Sequence, residues 1–367
     1  MNPVLVVNSG SSSLKFGLFV QKDADEEILL EGTVNGIGTP GGTLVLKDSA
    51  GKEVHTEPAV AKGQSEALTL GLKLLAKQDL PAPVAIGHRV VHGGPKLLDH
   101  TKITPEVIQT LKDSTHFAPL HIPASLKLID AAGKAYPGLP QFACFDTTFH
   151  RTMPEEATHL ALPLELWAHG VRRYGFHGLS YESIVHKLGD AVPKRLIVAH
   201  LGNGCSVCAM TEGKSVDTSM GFTPTGGVVM ATRTGDIDPG VLLYLMRTEK
   251  LEAEALEVLL NKQSGLLALS GAGSDVRDIE KVADGGDARA AMALEVFYRT
   301  IAKTIAGYVS VLGGLDGLVF TGGIGEHSER TRRAICERLG FLNVGDIRAL
   351  PAEEELQIAR HCRRLLA

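Results

Sequence analysis

At 367 residues, 44% hydrophobic and 22% charged, the chain has the make-up of a globular protein with room for two domains. A net charge of −5 and 5% aromatic residues supply neither the basic field nor the stacking platforms that nucleic acid needs. No apolar run reaches the ~18 residues of a membrane span. The start MNPVLVVNSG is unlike a secretion signal, and five cysteines without a framework fit a reducing compartment. We therefore expect a cytoplasmic protein, bound to neither membrane nor nucleic acid, that holds a small anionic ligand by local positive charge.

Val4 to Val7 reads as a buried strand, Asn8-Ser9-Gly10-Ser11-Ser12-Ser13 as a turn, and Leu14, Phe16 and Leu18, alternating with Lys15 and Gly17, as a returning strand. Small residues let a backbone approach phosphate oxygens, and the Lys15 ammonium adds charge. Leu196 to Cys208 repeats the design, with His200 matching Asn8, Gly202 matching Gly10 and Gly204 matching Ser12. An offset of about half the chain implies a duplicated α/β domain with one phosphate-facing hairpin per half and a cleft between the halves.

Between the hairpins, Ile28 to Lys52 continues the sheet and Ser65 to Leu80 reads as a helix covering it. Val84 to Gly94 is a strand entering a Gly turn, with Arg89 and Val91 on one face and His88, Val90 and His92 on the other. Thr104-Pro105 starts a helix to about Asp113, Phe117 to Pro123 is a Pro-bounded loop, and Ala124 to Ala135 is helical. Gln141 to Thr147 is a strand that delivers Asp146 at its C-terminal end, where open α/β sheets place ligands. A domain boundary follows, giving residues 1–147 and 148–350, with a terminal helix at 351–367 packing back on the first domain.

In the second half Ser180 is expected to cap a helix running to Leu188. Met220 to Asp238 is a Gly- and Thr-rich loop of the length that usually serves function. Asp238-Pro239 starts a helix, Asp287 to Leu312 is the longest one, and Leu318 to Ser328 is a strand, a Gly turn and a helix start. Three features read as decoys. Gly213-Lys214-Ser215 lacks the first Gly of a P-loop, Cys205 and Cys208 face opposite ways on a strand, and Arg363 and Arg364 suit a solvated helix face.

NSGSSSLKF, GHRVVHGG, FDTTFH, RRYGFHG, HLGNG, the TR of MATRTGDIDPG, and FTGGIGE in this order resemble the acetokinase family essentially end to end. The resemblance implies the duplicated, ribonuclease H-like fold of actin, sugar kinases and chaperone ATPases, a homodimer, and phosphoryl transfer between ATP and acetate, giving ADP and acetyl phosphate. It implies a magnesium or manganese site at Asn8 and Glu354, with Glu353 and Glu355 as alternatives one position to either side. It implies a nucleotide site of Lys15, His200, Leu201, Gly202, Asn203, Gly204, Asp275, Val276, Arg277, Gly323, Ile324, Gly325, Glu326 and His327. Arg89 would bind the carboxylate, Val91, Leu120 and Pro224 the methyl group, and Asp146, His177 and Arg233 would be catalytic.

A carboxylic acid with a pKa of about 4 has no proton to give up at neutral pH. Asp146 is therefore expected to orient Arg233 and a magnesium-bound water rather than to act as a base. Ile122, Leu179, Gly226 and His327 depart from the family pattern, and the chain is short between Phe341 and Pro351. The alternatives are a propionate or butyrate kinase of the same family, or a nucleotide switch on the same fold.

Overall fold

The computed structural model describes residues 2–10, 13–23, 25–342 and 344–367, so Ser11 and Ser12 of the first turn lie outside the described residues. The chain divides into two units. The first is Met1–Thr148, Gly178–Ser183 and Glu353–Ala367, and the second is Phe149–His177 and Ile184–Ala352.

The first unit holds an eight-stranded sheet of β1 (Val4–Ser9), β2 (Ser13–Lys22), β3 (Asp25–Asn35), β4 (Thr43–Asp48), β5 (Glu53–Pro58), β6 (Ala85–Val90), β7 (Thr101–Lys102) and β8 (Gln141–Phe145). The order is β5-β4-β3-β2-β1-β6-β8-β7. β1 reads VLVV because both of its faces are covered, as expected where a strand pairs in parallel with its neighbour. Leu5 and Val7 join a core with Phe16, Leu68 and Leu72, the last two from the helix Gln64–Leu75. Val4 and Val6 point the other way, into a core with Ile358 and Cys362 of the terminal helix Glu354–Leu366. That helix lies so close that a Cβ on Gly87 of β6 would stand 2.5 Å from Cys362 Sγ.

The second unit holds β9 (Arg195–Leu201), β10 (Cys205–Thr211), β11 (Lys214–Thr218), β12 (Gly317–Thr321) and β13 (Asp346–Ala349), ordered β11-β10-β9-β12-β13. Three antiparallel strands are followed by two parallel additions, β12 and β13. The run β3-β2-β1-β6-β8 of the first sheet has the same pairing. The duplication read from two short hairpins thus extends to five strands in each unit. Gly213-Lys214-Ser215 belongs to the β10–β11 turn, where Glu212 and Gly213 both take the left-handed conformation of a tight hairpin.

Several local expectations change. The helix after the RRYGFHG loop is Gly178–Leu188, so Ser180 lies inside it. His177 occupies the cap position at φ +59°, and the Gly178 N–H donates to the Asp146 carbonyl at 2.8 Å, a satisfaction of the helix start that no local pattern announces. Gly178–Ser183, placed by sequence inside 148–350, belongs to the first unit because Leu179 is buried in the core beneath the terminal helix. Ile122 and Leu179, two departures from the family pattern, are both fully buried apolar positions. The helix Ile122–Ala135 accordingly begins earlier than expected, with Pro123 in its first turn.

Arg363 is not on a solvated face: its guanidinium donates at 2.8 and 3.1 Å to the two carboxylate oxygens of Glu26, and Arg360 pairs with Asp25. On the same helix Leu366 is exposed, while Ile358, Ala359 and Cys362 are in the core. No described helix is long and apolar enough to cross a membrane.

Candidate active site

β6 and β8 run in parallel register, with Arg89 opposite Cys144 and Val90 opposite Phe145. The next residue, Asp146, donates its N–H to the Val90 carbonyl at 3.2 Å, and this register brings its carboxylate onto the Arg89 side chain. Arg89 Nε lies 3.0 and 3.1 Å from the two oxygens of Asp146, and Nη2 lies 2.6 Å from Oδ2. The side chain of Asp146 is 1% exposed. A bidentate contact of this kind is the strongest arrangement that the two groups can adopt. It also means that Arg89, expected to be free for a substrate carboxylate, has its Nε–Nη2 edge engaged by the chain's own Asp146.

Arg89 Nη1 reaches Asn8 Oδ1 at 3.3 Å and the Ser9 carbonyl at 3.4 Å. Asn8 Nδ2 donates to Glu355 Oε1 at 2.8 Å and to Glu354 Oε2 at 3.2 Å. Lys15, directly across the hairpin from Asn8, brings its ammonium to 3.2 Å from Glu355 Oε1. The first unit thus gathers Asn8, Lys15, Arg89, Asp146, Glu354 and Glu355 into one mixed-charge cluster. Glu355, the neighbour of the expected Glu354, thus joins it at Asn8. Glu354 and its neighbour both reach Asn8, because the helix they open starts beside that residue.

Burial pushes the Asp146 carboxyl up from its ordinary value, against the pull of Arg89. Burial opposes the charge of Arg89 too, but Asp146, Glu354 and Glu355 outweigh it and hold the guanidinium firmly cationic. Glu355 raises the Lys15 ammonium in the same way, burial working against it. We take Arg89 and Asp146 as an ion pair, since Nη2 and Oδ2 at 2.6 Å have the length of a charge-assisted bond. Val91 is half-buried just past β6, and Leu120 is 44% exposed.

In the second unit His200 pairs with Ser206 across β9 and β10. His177 Nδ1 meets the Ser206 hydroxyl at 2.8 Å, and its ring stacks on that of His200 with centroids 4.2 Å apart. A Cβ on Gly204 would stand 3.3 Å from both Arg233 Nη1 and His177 Nε2, so the glycine lets a guanidinium and an imidazole close on the turn. Arg233 Nη1 donates to the carbonyl of the buried Pro224 at 3.2 Å. The structure therefore brings together His177, His200 to Gly204, Arg233 and Pro224. Ser206 was missed, although it holds the place in the second hairpin that Lys15 holds in the first.

The helix Gly322–His327 packs on the end of β9: a Cβ on Gly322 would lie 2.7 Å from the Leu201 carbonyl. Gly323, Ile324 and Gly325 follow on it. Glu326 accepts the Ala352 N–H at 3.0 Å, and the His327 side chain is 82% exposed. Asp275 caps the helix Val276–Asp284, accepts from the Arg277 N–H at 2.9 Å and ion-pairs with the Arg277 guanidinium at 2.6 Å, while Val276 is buried. The Asp146 carboxylate was expected to orient Arg233; in the structure its described partner is Arg89.

The sequence model of the Acetokinase family matches residues 3–354. The chain belongs to the acetokinase family. An acetate kinase of Clostridium botulinum is 40% identical over 398 residues, covering 99% of each chain. One of Alkaliphilus metalliredigens is 39% identical over 397, covering 99% of this chain and 100% of its own. Both alignments run longer than the chain's 367 residues, so these relatives carry residues that this chain lacks.

Among solved structures, the acetate kinase of Porphyromonas gingivalis matches with a TM-score of 0.86 and 37% identity over 100% of both chains. A propionate kinase from Francisella tularensis matches with a TM-score of 0.89 and 36% identity over 98% of this chain and 99% of its own. Acetokinase membership makes the chain a phosphotransferase with a carboxyl group as acceptor and ATP as co-substrate. The nucleotide-switch alternative falls away.

Proposed function

We propose that the chain transfers the γ-phosphoryl group of ATP to acetate, reversibly and by direct in-line displacement. A carboxylate oxygen attacks the γ-phosphorus, the bond to the bridging oxygen breaks, and ADP leaves with that electron pair. No proton moves, so no general base is required. The observation that carries this reading is the Arg89–Asp146 pair. A buried carboxylate clamps the Nε–Nη2 edge of the guanidinium and aims the remaining edge, now shared with Asn8 and Ser9 at 3.3 and 3.4 Å, toward an incoming carboxylate.

Phosphoryl transfer asks a protein mainly for positioning and for donors around the equatorial oxygens. His177 and Arg233, set beside the Gly204 turn, are suited to supply those donors. Lys15, His200 to Gly204, Asp275 to Arg277 and Gly323 to His327 are our nucleotide-binding residues. Val91, Leu120 and Pro224 are our methyl pocket.

Asn8, Glu354 and Glu355 offer an amide and two carboxylates side by side, the oxygen donor set that a small hard cation takes. We assign magnesium, or manganese in its place, to Asn8 and Glu354, with Glu355 beside them. When bound, such an ion neutralises phosphate charge. We also propose a cytoplasmic homodimer. The cysteines are unpaired, and the helix Pro239–Arg247 buries none of its residues while exposing Val241, Leu243, Tyr244 and Met246, a face suited to a second copy.

Trapping acyl phosphate with hydroxylamine tests the reaction: hydroxamate forms with acetate and ATP and not without acetate. ATP hydrolysis that ignores the acid would overturn it. The match to a propionate kinase favours one second reading, a larger acceptor. Since one methylene is worth about 1–3 kcal/mol, comparing kcat/KM for acetate, propionate and butyrate separates the two.

A further inference from the structure

His100 from the loop before β7, Glu182 from the segment Gly178–Ser183 and His361 from the terminal helix meet inside the first unit. His361 Nε2 lies 2.5 Å from Glu182 Oε2, and His100 Nε2 lies 3.5 Å from Oε1. Three such groups could hold a metal ion, but the partners of the other ring nitrogens decide against it. The Phe145 N–H donates to His100 Nδ1 at 3.0 Å, and the Arg364 guanidinium, which can only donate, faces His361 Nδ1 at 3.1 Å.

His100 Nδ1 therefore keeps its lone pair, and a neutral His100 ring carries its proton on Nε2, whereas both nitrogens of His361 face a donor, Arg364 at Nδ1 and the Gln357 amide at Nε2. A metal-bound histidine shows the reverse, giving an Nδ1–H to an acceptor. The Nε2 atoms of both rings face the Glu182 carboxylate, that of His361 within hydrogen-bond distance and that of His100 at 3.5 Å without a hydrogen bond. Burial alone would raise the Glu182 carboxyl, but the two imidazoles hold it down at about 2. Gln357 and Arg364 are the other polar groups facing this carboxylate and its histidines.

We propose that His100 and Glu182 are positioning residues for Asp146. Three polar backbone groups around Asp146 are tied. The preceding N–H, of Phe145, goes to His100, its own N–H goes to Val90, and its carbonyl takes the Gly178 N–H, four residues before Glu182. Glu182 then links His100 to His361, on the helix that opens with Glu354 and Glu355. One carboxylate therefore couples the height of Asp146 against Arg89 to the placement of the helix that carries Glu354.

This inference rests on the phosphotransfer reading, in which Asp146 orients Arg89. The test compares His100→Leu, which fills the space without an acceptor, His100→Asn, whose amide oxygen can take the Phe145 N–H, and Glu182→Gln. The readouts are kcat, KM for ATP, and hydrogen exchange at the Phe145 amide. His100→Leu should lower kcat about tenfold or more, since small misplacements at a reacting centre cost up to about 100-fold. KM for ATP should stay within about twofold, Phe145 exchange should accelerate, and His100→Asn should restore most of both. Glu182→Gln should lower kcat in the same direction by less.

Unchanged Phe145 exchange in His100→Leu overturns the proposal, as does a melting point that falls while kcat stays at the wild-type value. A stoichiometric metal in the wild-type enzyme that His100→Leu loses also overturns it. A wild type that forms no acyl phosphate overturns the phosphotransfer reading instead. That failure is told apart by the Phe145 exchange, which reports the clamp without turnover.

Discussion

In the β1–β2 hairpin Asn8 stands opposite Lys15, and the terminal helix brings two carboxylates onto the pair. In the β9–β10 hairpin His200 stands opposite Ser206, and the neighbours are an imidazole and a guanidinium. The backbone design is shared and the chemistry is not. The first cluster balances buried charges against one another, so its members help to hold the fold. The second gathers an imidazole, a hydroxyl and a guanidinium around the Gly204 turn. A duplicated scaffold can therefore divide labour by changing a few residues at equivalent strand ends.

The sharpest way to break that contrast is Arg233→Ala. A guanidinium that stabilises an in-flight phosphoryl group is worth about 10³-fold or more in kcat. The stability loss should be smaller than for Arg89→Met, about 1–2 kcal/mol for the lost bond to the Pro224 carbonyl. Steady-state assay and calorimetry on the same preparation check both halves. A large stability loss with little change in kcat would reverse the assignment of roles.

Arg89→Met should cost both at once. It strands Asp146, 1% exposed, without its partner, and breaking a buried ion pair typically costs ~3–5 kcal/mol. Activity should fall by about 100-fold or more with it, as expected for removal of a group that aligns a reactant. Urea unfolding monitored by fluorescence measures the stability part.

A smaller effect concerns His88, buried in the first unit with Nε2 2.7 Å from Gln141 Oε1. Burial lowers its pKa from 6.5 to about 4, the Gln141 contact working against this. The unfolded chain therefore takes up the proton first as pH falls. The stability that depends on a neutral His88 is complete above about pH 6.5 and is lost down to about pH 4, roughly 3 kcal/mol in all. In His88→Leu, the difference in unfolding free energy between pH 7 and pH 4.5 should shrink by most of that amount. An unchanged difference would place the acid sensitivity elsewhere.

The smallest effect is expected for His327→Ala. The side chain is 82% exposed and lies 3.9 Å from Glu326, so KM for ATP should change by no more than about twofold and stability by roughly 0.5 kcal/mol or less. A tenfold rise in KM would promote His327 to a direct nucleotide contact.

The hairpins, the strand that carries Arg89 and the strand that ends at Asp146 were all legible in the sequence, because alternation and Gly turns are local signals. The pairing of Arg89 with Asp146 was not, since it depends on β6 and β8 lying side by side although the partners are 57 positions apart in the chain. The cap of the helix at Gly178 was misread for the same reason: its acceptor is the Asp146 carbonyl, not a neighbouring hydroxyl. Arg363 looked solvated because a helical wheel cannot show that the flank of the terminal helix lies along Glu26.

By itself, then, the sequence determined two matched hairpins, their small-residue turns, the family and the chemical types gathered at each strand end. Only the tertiary structure decided which of those groups meet. Hydrophobic periodicity is set within a few residues along the chain. A hydrogen bond or ion pair, by contrast, forms or fails over a few tenths of an ångström, and that distance is fixed by the register of strands far apart in sequence.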